Sequence, residues 1–362
     1  MSDTVRLTEE FRGGLLDLTH YGYISIVDEK GKVIYSAGDP EAMVFYRSAS
    51  KPVQALPVIA HHLDEKYGFT DEETVLFAGS HLGESFHVNA LKSIMKKADL
   101  NPEDLIMKPT VPGSTEANEE RIRQGLPKSK LYHNCSGKHA ALMLTQREMG
   151  GDVKDYWKVG SVGQNEVLRT MSVLSEYPEE KVVIGIDGCG VPVFAYPMKN
   201  IATAYKNLAC IDTIKDDVLQ DAARRFVPRI HEYPHMMRGT GYLCSLINHD
   251  ANIIAKGGAN GVYGIGLKKE RIGISFKIKD GTEAVWPLII REIFRQIGYY
   301  NADTDKMLVS LNNGVTVNDN DTPVGEVKTV FTLEKHLYNL IFIQHFRSSL
   351  CIDLSRCGGF SF

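Results

Sequence analysis

The chain has 362 residues, of which 43% are hydrophobic and 24% charged, and its formal net charge is −4. A chain of this length can bury a large core, and its composition is ordinary for a globular protein. The acidic balance and the lack of a dense Lys/Arg run argue against a nucleic-acid-binding role.

Hydrophobic periodicity predicts the first elements of the fold. Residues 22–36 read as a β-hairpin around a polar turn. A helix is expected from Ser48 onward, and Pro57 should kink it. The capping-box sequence that begins at Thr70 starts another helix, which delivers Ser80 at its C-terminal end.

The rest of the chain alternates helical and strand patterns. We expect helices at 86–98, 136–144, 213–230 and 282–297, strands at 182–186, 252–256 and 271–279, and loops over 101–134. The chemical motifs are scattered over more than 200 residues without a low-complexity linker. We therefore expect one α+β domain over residues 1–335.

Residues 336–362 read as an atypical C-terminal appendage. They are hydrophobic, carry Cys351 and Cys357, and lack clean periodicity. An added helix and a translated vector or frameshifted segment are both open interpretations.

Ser48-Ala-Ser-Lys51 places a hydroxyl and an amine three residues apart. Positions i and i+3 share a helix face, so both side chains can point into one space. A serine becomes nucleophilic when a base takes its proton, and a desolvated lysine can be that base. The same spacing opens the active-site helix of serine β-lactamases and penicillin-binding proteins. The alternative is a solvated helix start, because short motifs arise often by chance.

A second cluster, His133 through Ala140, combines a thiol, a hydroxyl, an ammonium and an imidazole at a predicted helix start. Helix N-termini favour anions such as a thiolate or a substrate carboxylate. We reject a phosphate loop, since its first glycine would fall at Tyr132. A cysteine nucleophile with a histidine base and a zinc site completed by Cys189 both remain open. The third interpretation is a helix cap with inert thiols.

Two polar residues stand at the ends of apolar strands. Asp187 follows 182–186, and Lys256 ends 252–256 and precedes two glycines. The alternative for Asp187 is a turn residue that hydrogen-bonds its neighbours, and the alternative for Lys256 is an ordinary lysine at a strand edge. The glycines favour a functional role for Lys256, because they let a ligand or another backbone approach closely. A lysine–glycine strand facing a Ser-x-x-Lys helix is the β-lactamase layout.

The sequence also bears on compartment. The N-terminus is polar, and no apolar run reaches about 18 residues, so we expect neither a secretory signal nor a membrane span. Six cysteines in such a chain predict thiols, ligands or core residues rather than disulfides. We therefore expect a cytoplasmic protein.

Together these motifs resemble the thermolabile, rhizobial-type L-asparaginases over about residues 15–333. The matching segments, in the family's order, are Tyr46-Arg-Ser-Ala-Ser-Lys-Pro52, Ser80-His81, Asn134-Cys-Ser-Gly-Lys-His-Ala140, Asp187-Gly-Cys-Gly-Val-Pro192 and Ala255-Lys-Gly-Gly-Ala259. The resemblance implies a serine β-lactamase/penicillin-binding-protein-like α+β fold, a mixed sheet with helices packed on it, and a homodimer. One departure is Asn260, where the family usually has a glutamate.

The resemblance also implies the residues of the site. The expected catalytic residues form two serine–lysine pairs, Ser48 with Lys51 and Ser80 with Lys256. The expected zinc ligands are Cys135, Lys138 and Cys189. The expected substrate-binding residues are Arg47, His139 and Asp187. No organic cofactor is implied.

The implied reaction is hydrolysis of L-asparagine to L-aspartate and ammonia through an acyl-enzyme on Ser48. Neutral Lys51 is expected to take the Ser48 proton, and Ser80 and Lys256 are expected to relay protons. A glutaminase would use the same chemistry, because one methylene is worth only ~1–3 kcal/mol of discrimination. A hydrolase of β-lactams or peptides is a second alternative, disfavoured by the missing export signal. A third is a non-catalytic zinc-stabilised protein, which would unfold when Cys135 or Cys189 is changed.

Overall fold

The computed structural model describes residues 4–336. The predicted appendage therefore lies outside the described residues, apart from His336. The strands are β1 Val5–Arg12, β2 Leu15–Val27, β3 Val33–Ala37, β4 Met43–Phe45, β5 Val183–Ile186, β6 Pro192–Pro197, β7 Ile253–Gly258, β8 Val262–Leu267, β9 Ile272–Ile278, β10 Val315–Val317, β11 Pro323–Thr329 and β12 Glu334–Lys335.

Helices account for much of the remaining chain. The α-helices are α1 Lys51–Gln54, α2 Leu56–Ala60, α3 Leu63–Tyr67, α4 Asp71–Val75, α5 Ser85–Lys97, α6 Thr115–Arg123, α7 Ser136–Glu148, α8 Val162–Ser175, α9 Met198–Ala209, α10 Asp217–Glu232, α11 Leu243–Leu246, α12 Trp286–Ile297 and α13 Ala302–Leu311. Short 3₁₀ helices lie at Arg47–Ser50, Leu76–Ala78, Pro102–Asp104, Lys130–Tyr132, Val153–Asp155, Glu179–Lys181, Ile211–Thr213, Pro234–Met237 and Ile247–His249.

The larger of two sheets has nine strands. Its main path runs β10-β11-β1-β2-β9-β8-β7, and β3 pairs with both β2 and β12. The smaller sheet has the order β4-β6-β5. The predicted α+β class with helices packed on a sheet is confirmed. One detail differs: the described strands pair only antiparallel, so the sheet is not mixed. Hairpins such as β7–β8–β9 join neighbouring strands without the long crossovers that parallel pairs require.

Helix α9 packs tightly against the larger sheet through glycines in β8 and β9. A Cβ at Gly273 would lie 1.9 Å from the carbonyl oxygen of Ala202. One at Gly264 would lie 1.9 Å from the ring of Tyr205. Only glycine permits this approach, which sets the short distance between helix α9 and the sheet that contains β7.

Two apolar cores lie on opposite sides of this sheet. One is built largely from the helices before β7, and the other lies between the sheet and α12. The 3₁₀ helix Arg47–Ser50 contacts β7 directly, so the first core brings the Ser-x-x-Lys segment against the strand that carries Lys256. None of the helices within residues 4–336 has the length and apolar character needed to cross a membrane.

The long helix predicted from Ser48 is broken into short segments. Helix α1 ends at Gln54 and α2 begins at Leu56, with Pro57 in its first turn. Proline is tolerated there because the first-turn N–H has no helical partner. The capping box at Thr70 is confirmed: the Glu73 N–H donates to Thr70 Oγ1 at 3.2 Å, and the Thr70 N–H donates to Glu73 Oε2 at 2.7 Å.

Candidate active site

Three distant segments bring the predicted serines and lysines together. Ser48 lies in the 3₁₀ helix before α1, Lys51 begins α1, Ser80 lies in the loop before α5, and Lys256 lies in β7. The Ser80 N–H donates to the carbonyl oxygen of Met237 at 2.8 Å, which fixes that loop. Ser80, Lys51 and Lys256 are all at most 2% exposed.

The hydroxyl of Ser80 lies between two lysine amines. Its Oγ is 3.0 Å from Lys51 Nζ and 3.0 Å from Lys256 Nζ. Lys51 Nζ also donates to the carbonyl oxygens of Gly79, at 2.7 Å, and Asn134, at 3.2 Å. Lys256 Nζ donates to the carbonyl oxygen of the next residue at 2.6 Å. One serine is thus hydrogen-bonded to both lysines.

Among residues 4–336, Ser48 and Lys51 are not hydrogen-bonded to each other. The Lys51 amine instead donates to Ser80 Oγ and to the carbonyl oxygens of Gly79 and Asn134, which use its three N–H donors. Ser48 instead lines a cavity that Ser80 and Lys256 also line. The two serines therefore share one space, although only Ser80 touches the amines.

Backbone strain lies directly before Ser48. Arg47 has a φ of +49°, in the left-handed region that side-chain-bearing residues seldom adopt. The Ser50 hydroxyl donates to Arg47 O at 2.6 Å, and the Arg47 guanidinium binds Asp187 Oδ1 through Nε, at 3.0 Å, and Nη2, at 2.7 Å. Strained non-glycine residues cluster at functional sites. Here the strain sets the direction of the turn that carries Ser48.

Burial lowers the pKa of both lysines. For Lys51 the shift is downward, caused first by burial and partly opposed by the nearby Cys135. Burial brings the pKa of Lys256 to about 8, against the opposing effect of Cys244 and with help from the charges of Lys51 and Arg238. A lysine with such a pKa is partly neutral near physiological pH and can accept a proton.

The cavity beside the serines has a volume of about 430 Å³. Charged and aromatic side chains complete its wall, and these are Arg238, Glu283, Tyr242 and Trp286. A larger cavity of about 670 Å³ lies among α12, α13 and β11 but contains none of the predicted site residues. We therefore place the candidate active site in the smaller cavity.

The three residues expected to bind substrate do not line this cavity. Arg47 and Asp187 are paired with each other. His139 has no exposed surface, and its Nδ1 lies 2.8 Å from the Tyr156 hydroxyl. Burial holds the pKa of His139 well below its ordinary value, so the ring is neutral.

Sequence reasoning missed the charged residues that do line the cavity. Arg238 stands in the glycine-containing segment Arg238-Gly-Thr-Gly-Tyr242, and that composition is its one sequence signal. Glu283 lies in a short polar turn before α12 and carries no signal of its own.

Cys135, Lys138 and Cys189 meet beside the lysines. Lys138 Nζ donates to Cys189 Sγ at 3.1 Å, and all three residues are at most 6% exposed. A hydrogen bond with Cys189 lowers the pKa of Cys135 well below its ordinary value, aided by the charges of Lys51 and Lys138. The same bond, with burial, raises the pKa of Cys189.

This donor set fits a zinc ion, since zinc accepts thiolate and nitrogen ligands. Residues 4–336 contain no group of three or more His, Cys, Asp or Glu side chains placed to hold a metal. A metal here thus depends on Lys138 as a third protein ligand. Burial lowers the pKa of Lys138, but the charges of Cys189 and Cys135 outweigh it and raise the pKa, so an ion would have to displace a proton.

Comparison with known proteins gives one family. A family model described as L-asparaginase II matches residues 8–329. A search of curated proteins finds no significant match.

Several solved structures are similar at low identity. Mglu in its native form is 15% identical, with a TM-score of 0.46, over 77% of this chain and 64% of its own. A β-lactamase from Mycobacterium bovis is 14% identical, with a TM-score of 0.42, over 76% of this chain and 94% of its own. A Bacillus glutaminase is 11% identical, with a TM-score of 0.36, over 76% of this chain and 91% of its own. The chain thus spans 64% of the length of Mglu, and these likenesses say nothing about its substrate.

Proposed function

We propose that this chain, which belongs to the L-asparaginase II family, is an amidohydrolase that converts L-asparagine to L-aspartate and ammonia, as a thermolabile, rhizobial-type enzyme does. The observation that carries the proposal is the Ser80 hydroxyl, 3.0 Å from the amines of both Lys51 and Lys256, in a cavity that Ser48 lines. A hydroxyl within reach of a base, with that base oriented by further groups, is the signature of an activated nucleophile.

Ser48 is the proposed nucleophile. Its Oγ forms a bond to the carboxamide carbon, and its proton passes through the Ser80 hydroxyl to the neutral amine of Lys256. Lys51 is bound by two carbonyl oxygens and stays the charged neighbour. The oxyanion is stabilised by backbone N–H groups at the first turn, among them that of Ser48, a term typically worth about 3 kcal/mol per donor.

The remaining steps use the same groups in reverse. The carbon–nitrogen bond breaks, and the Lys256 ammonium returns its proton through Ser80 to the leaving nitrogen, so that ammonia departs. Water then attacks the aspartyl ester and passes a proton to the relay. The ester bond breaks, Ser48 regains its proton, and L-aspartate is released.

Zinc and positioning residues complete the proposed site. Cys135, Lys138 and Cys189 would hold zinc, which would add positive charge near the two lysines and so favour the neutral form of Lys256. For Arg47 and Asp187 we propose a positioning role through the strained turn before Ser48. His139 would act likewise through its contact with Tyr156.

We also propose a homodimer in the cytoplasm. The β1–β2 hairpin exposes Leu15, Leu16 and Leu18, which are 74%, 45% and 47% accessible and supply apolar surface for a second copy. The described cysteines are free thiols, which suits a reducing compartment.

The test is ammonia release from L-asparagine and, separately, from L-glutamine. The samples are purified wild type, Ser48→Ala and the exposed-residue control Ser310→Ala. We expect release from L-asparagine by wild type and the control and none by Ser48→Ala. A folded, zinc-loaded wild type that releases ammonia from neither amide, or from glutamine alone, would overturn the proposal.

A further inference from the structure

The candidate active-site cavity contains two side chains of opposite charge that are not neutralised by the protein. Arg238 and Glu283 both line it. Within the described part of the chain, neither takes part in an ion pair. Because the protein does not engage them, both charges remain available to orient a ligand in this cavity.

Most N–H donors of the Arg238 guanidinium have no hydrogen-bond acceptor among the described residues. Its Nη1 makes one long hydrogen bond, 3.4 Å to the carbonyl oxygen of Ser80, and its guanidinium lies over the ring of Tyr242 at 5.7 Å from the centroid. A stacked guanidinium keeps its in-plane fork available for a carboxylate. Arg47, by contrast, is already engaged by Asp187.

The segment that carries Arg238 is held in place before any ligand arrives. The Thr240 N–H and hydroxyl donate to the two carboxylate oxygens of Glu84 at 2.9 and 2.8 Å. The Gly239 N–H donates to Ser245 Oγ at 3.0 Å. Because the loop is fixed, little ordering entropy is lost when the guanidinium binds an anion.

Glu283 supplies the complementary charge. Its carbonyl oxygen accepts the Trp286 N–H at 3.2 Å, which places it directly before α12. Its carboxylate receives no hydrogen bond from residues 4–336 and is exposed at the cavity. A carboxylate so placed is an acceptor for a ligand ammonium group.

We propose that Arg238 binds the α-carboxylate and Glu283 the α-ammonium group of the substrate. The inference rests on the proposed function and deepens it by naming the two residues that recognise the charged groups of the free amino acid. An asparagine inside a peptide has neither charge and leaves Arg238 and Glu283 unpaired. A site built for polar groups rejects ligands that lack them far more strongly than an apolar pocket rejects a missing methylene.

The test compares each variant on L-asparagine and on an analogue that lacks the group which the changed side chain is proposed to bind. 3-Aminopropionamide lacks the α-carboxylate of asparagine, and succinamate lacks the α-amino group. We expect Arg238→Gln to lower kcat/KM for L-asparagine and succinamate by about 10- to 100-fold, and for 3-aminopropionamide by less than about 3-fold. Glu283→Gln should affect L-asparagine and 3-aminopropionamide in the same way and spare succinamate. Arg224→Gln and Glu119→Gln, at exposed helical positions, are the matched controls.

Equal losses on all three amides in either variant would overturn the proposal. Arg238→Lys should restore part of the lost kcat/KM, and thermal unfolding of each variant separates misfolding from lost binding. If wild type releases no ammonia from L-asparagine, the proposed function fails instead. Calorimetric titration with L-aspartate then tests whether Arg238 and Glu283 bind the α-carboxylate and the α-ammonium group. Weaker affinity in both variants supports this assignment, and unchanged affinity in either variant overturns it.

Discussion

The hydroxyl of Ser80 lies 3.0 Å from the amine of Lys256, although 176 residues separate the two in the chain. Lys51 reaches the same oxygen from α1. Two ammonium groups on one hydroxyl repel each other, so the fully protonated state is disfavoured and one amine tends to be neutral. A single bridging hydroxyl therefore contacts both lysines, where the resemblance implied the pairs Ser48 with Lys51 and Ser80 with Lys256.

The first prediction separates the two serines. Ser48→Ala should lower ammonia release from L-asparagine by at least about 10³-fold, because the nucleophile is gone. Ser80→Ala should lower it by about 10²–10⁴-fold, because only proton transfer is impaired. Mass spectrometry of acid-quenched reactions should find an aspartyl adduct in Ser80→Ala and none in Ser48→Ala. The reverse pattern would make Ser80 the nucleophile.

The second prediction concerns pH. Lys256 accepts protons only when neutral, and a lysine is neutral above its pKa, so kcat/KM for L-asparagine should rise as pH increases through about 8. Lys256→Arg should remove that rise, because arginine stays charged over the accessible range. Lys215→Arg, at an exposed lysine, is the control. A rise that persists unchanged in Lys256→Arg would assign it to another group.

The features that the sequence predicted correctly depend on interactions between residues close together in the chain. The capping box at Thr70, the hairpin of β2 and β3, and the start of α7 at Ser136 all depend on residues within a few positions of each other. The meeting of Ser80 with Lys256 and of Cys135 with Cys189 depends on tertiary packing. Neither follows from spacing. The residues alone left a zinc site with Cys189 as one of three open interpretations, and the pairing of Ser80 with Lys256 came from the family resemblance.

Other features had weak sequence signals or none. Helix α6 lies in a region expected to be loops, and none of its residues is buried, so it lacks the apolar stripe that reveals a surface helix. Its signal was the N-cap, where Ser114 Oγ accepts the Ala117 N–H at 3.2 Å. Arg238 and Glu283 are ordinary charged residues in turns, and their importance comes from the cavity they share.

The third prediction concerns a buried histidine between two carboxylates. His20 is 4% exposed; its Nδ1 is 2.6 Å from Asp280 Oδ2 and its Nε2 is 2.9 Å from Glu10 Oε1. Burial lowers the pKa of His20, but the two carboxylates outweigh it and raise the pKa above 6.5. Burial raises the pKa of Asp280, but its hydrogen bonds, including the one with His20, bring it below 3.8.

The sign of each shift fixes the pH window. The His20 contribution is fully present below 6.5 and is lost as pH rises through the folded-state pKa, whereas the Asp280 contribution is present above 3.8 and is lost as pH falls. His20→Gln should therefore lower the free energy of unfolding by about 1–3 kcal/mol between these values and by less at alkaline pH. Denaturant unfolding at several pH values measures this, with the exposed His249→Gln as control. If His20→Gln lowers the free energy of unfolding by the same amount at every pH, the ion pairs of His20 with Asp280 and Glu10 are not its cause.

The fourth prediction concerns the thiols. Purified protein should contain about one zinc ion per chain, and Cys189→Ser should lower that content strongly, because two of three protein ligands cannot hold the ion tightly. Elemental analysis and the chelator dependence of thermal unfolding measure both effects. Cys210→Ser, at a buried cysteine outside this cluster, is the control. Zinc retained in Cys189→Ser would place the metal elsewhere.

The fifth prediction tests the contact between β7 and the turn that carries Ser48, the proposed nucleophile. A Cβ at Gly258 would lie 2.7 Å from the backbone nitrogen of Ala49 and 3.0 Å from that of Ser48. Backbone atoms cannot rotate away as a flexible side chain can, so Gly258→Ala should displace Ser48. A displacement near 1 Å can cost about 10²-fold in rate, and overpacking costs about 1–3 kcal/mol of stability. Activity and thermal unfolding measure the two losses.

A glycine outside this contact provides the comparison. A Cβ at Gly188 would meet nothing within 4 Å, so Gly188→Ala should change neither activity nor stability measurably. If Gly258→Ala keeps wild-type kcat/KM, the close approach of β7 does not position Ser48. The strain at Arg47 and the hydrogen bond from the Tyr205 hydroxyl to the Ala49 carbonyl oxygen, 2.6 Å long, would then have to orient Ser48.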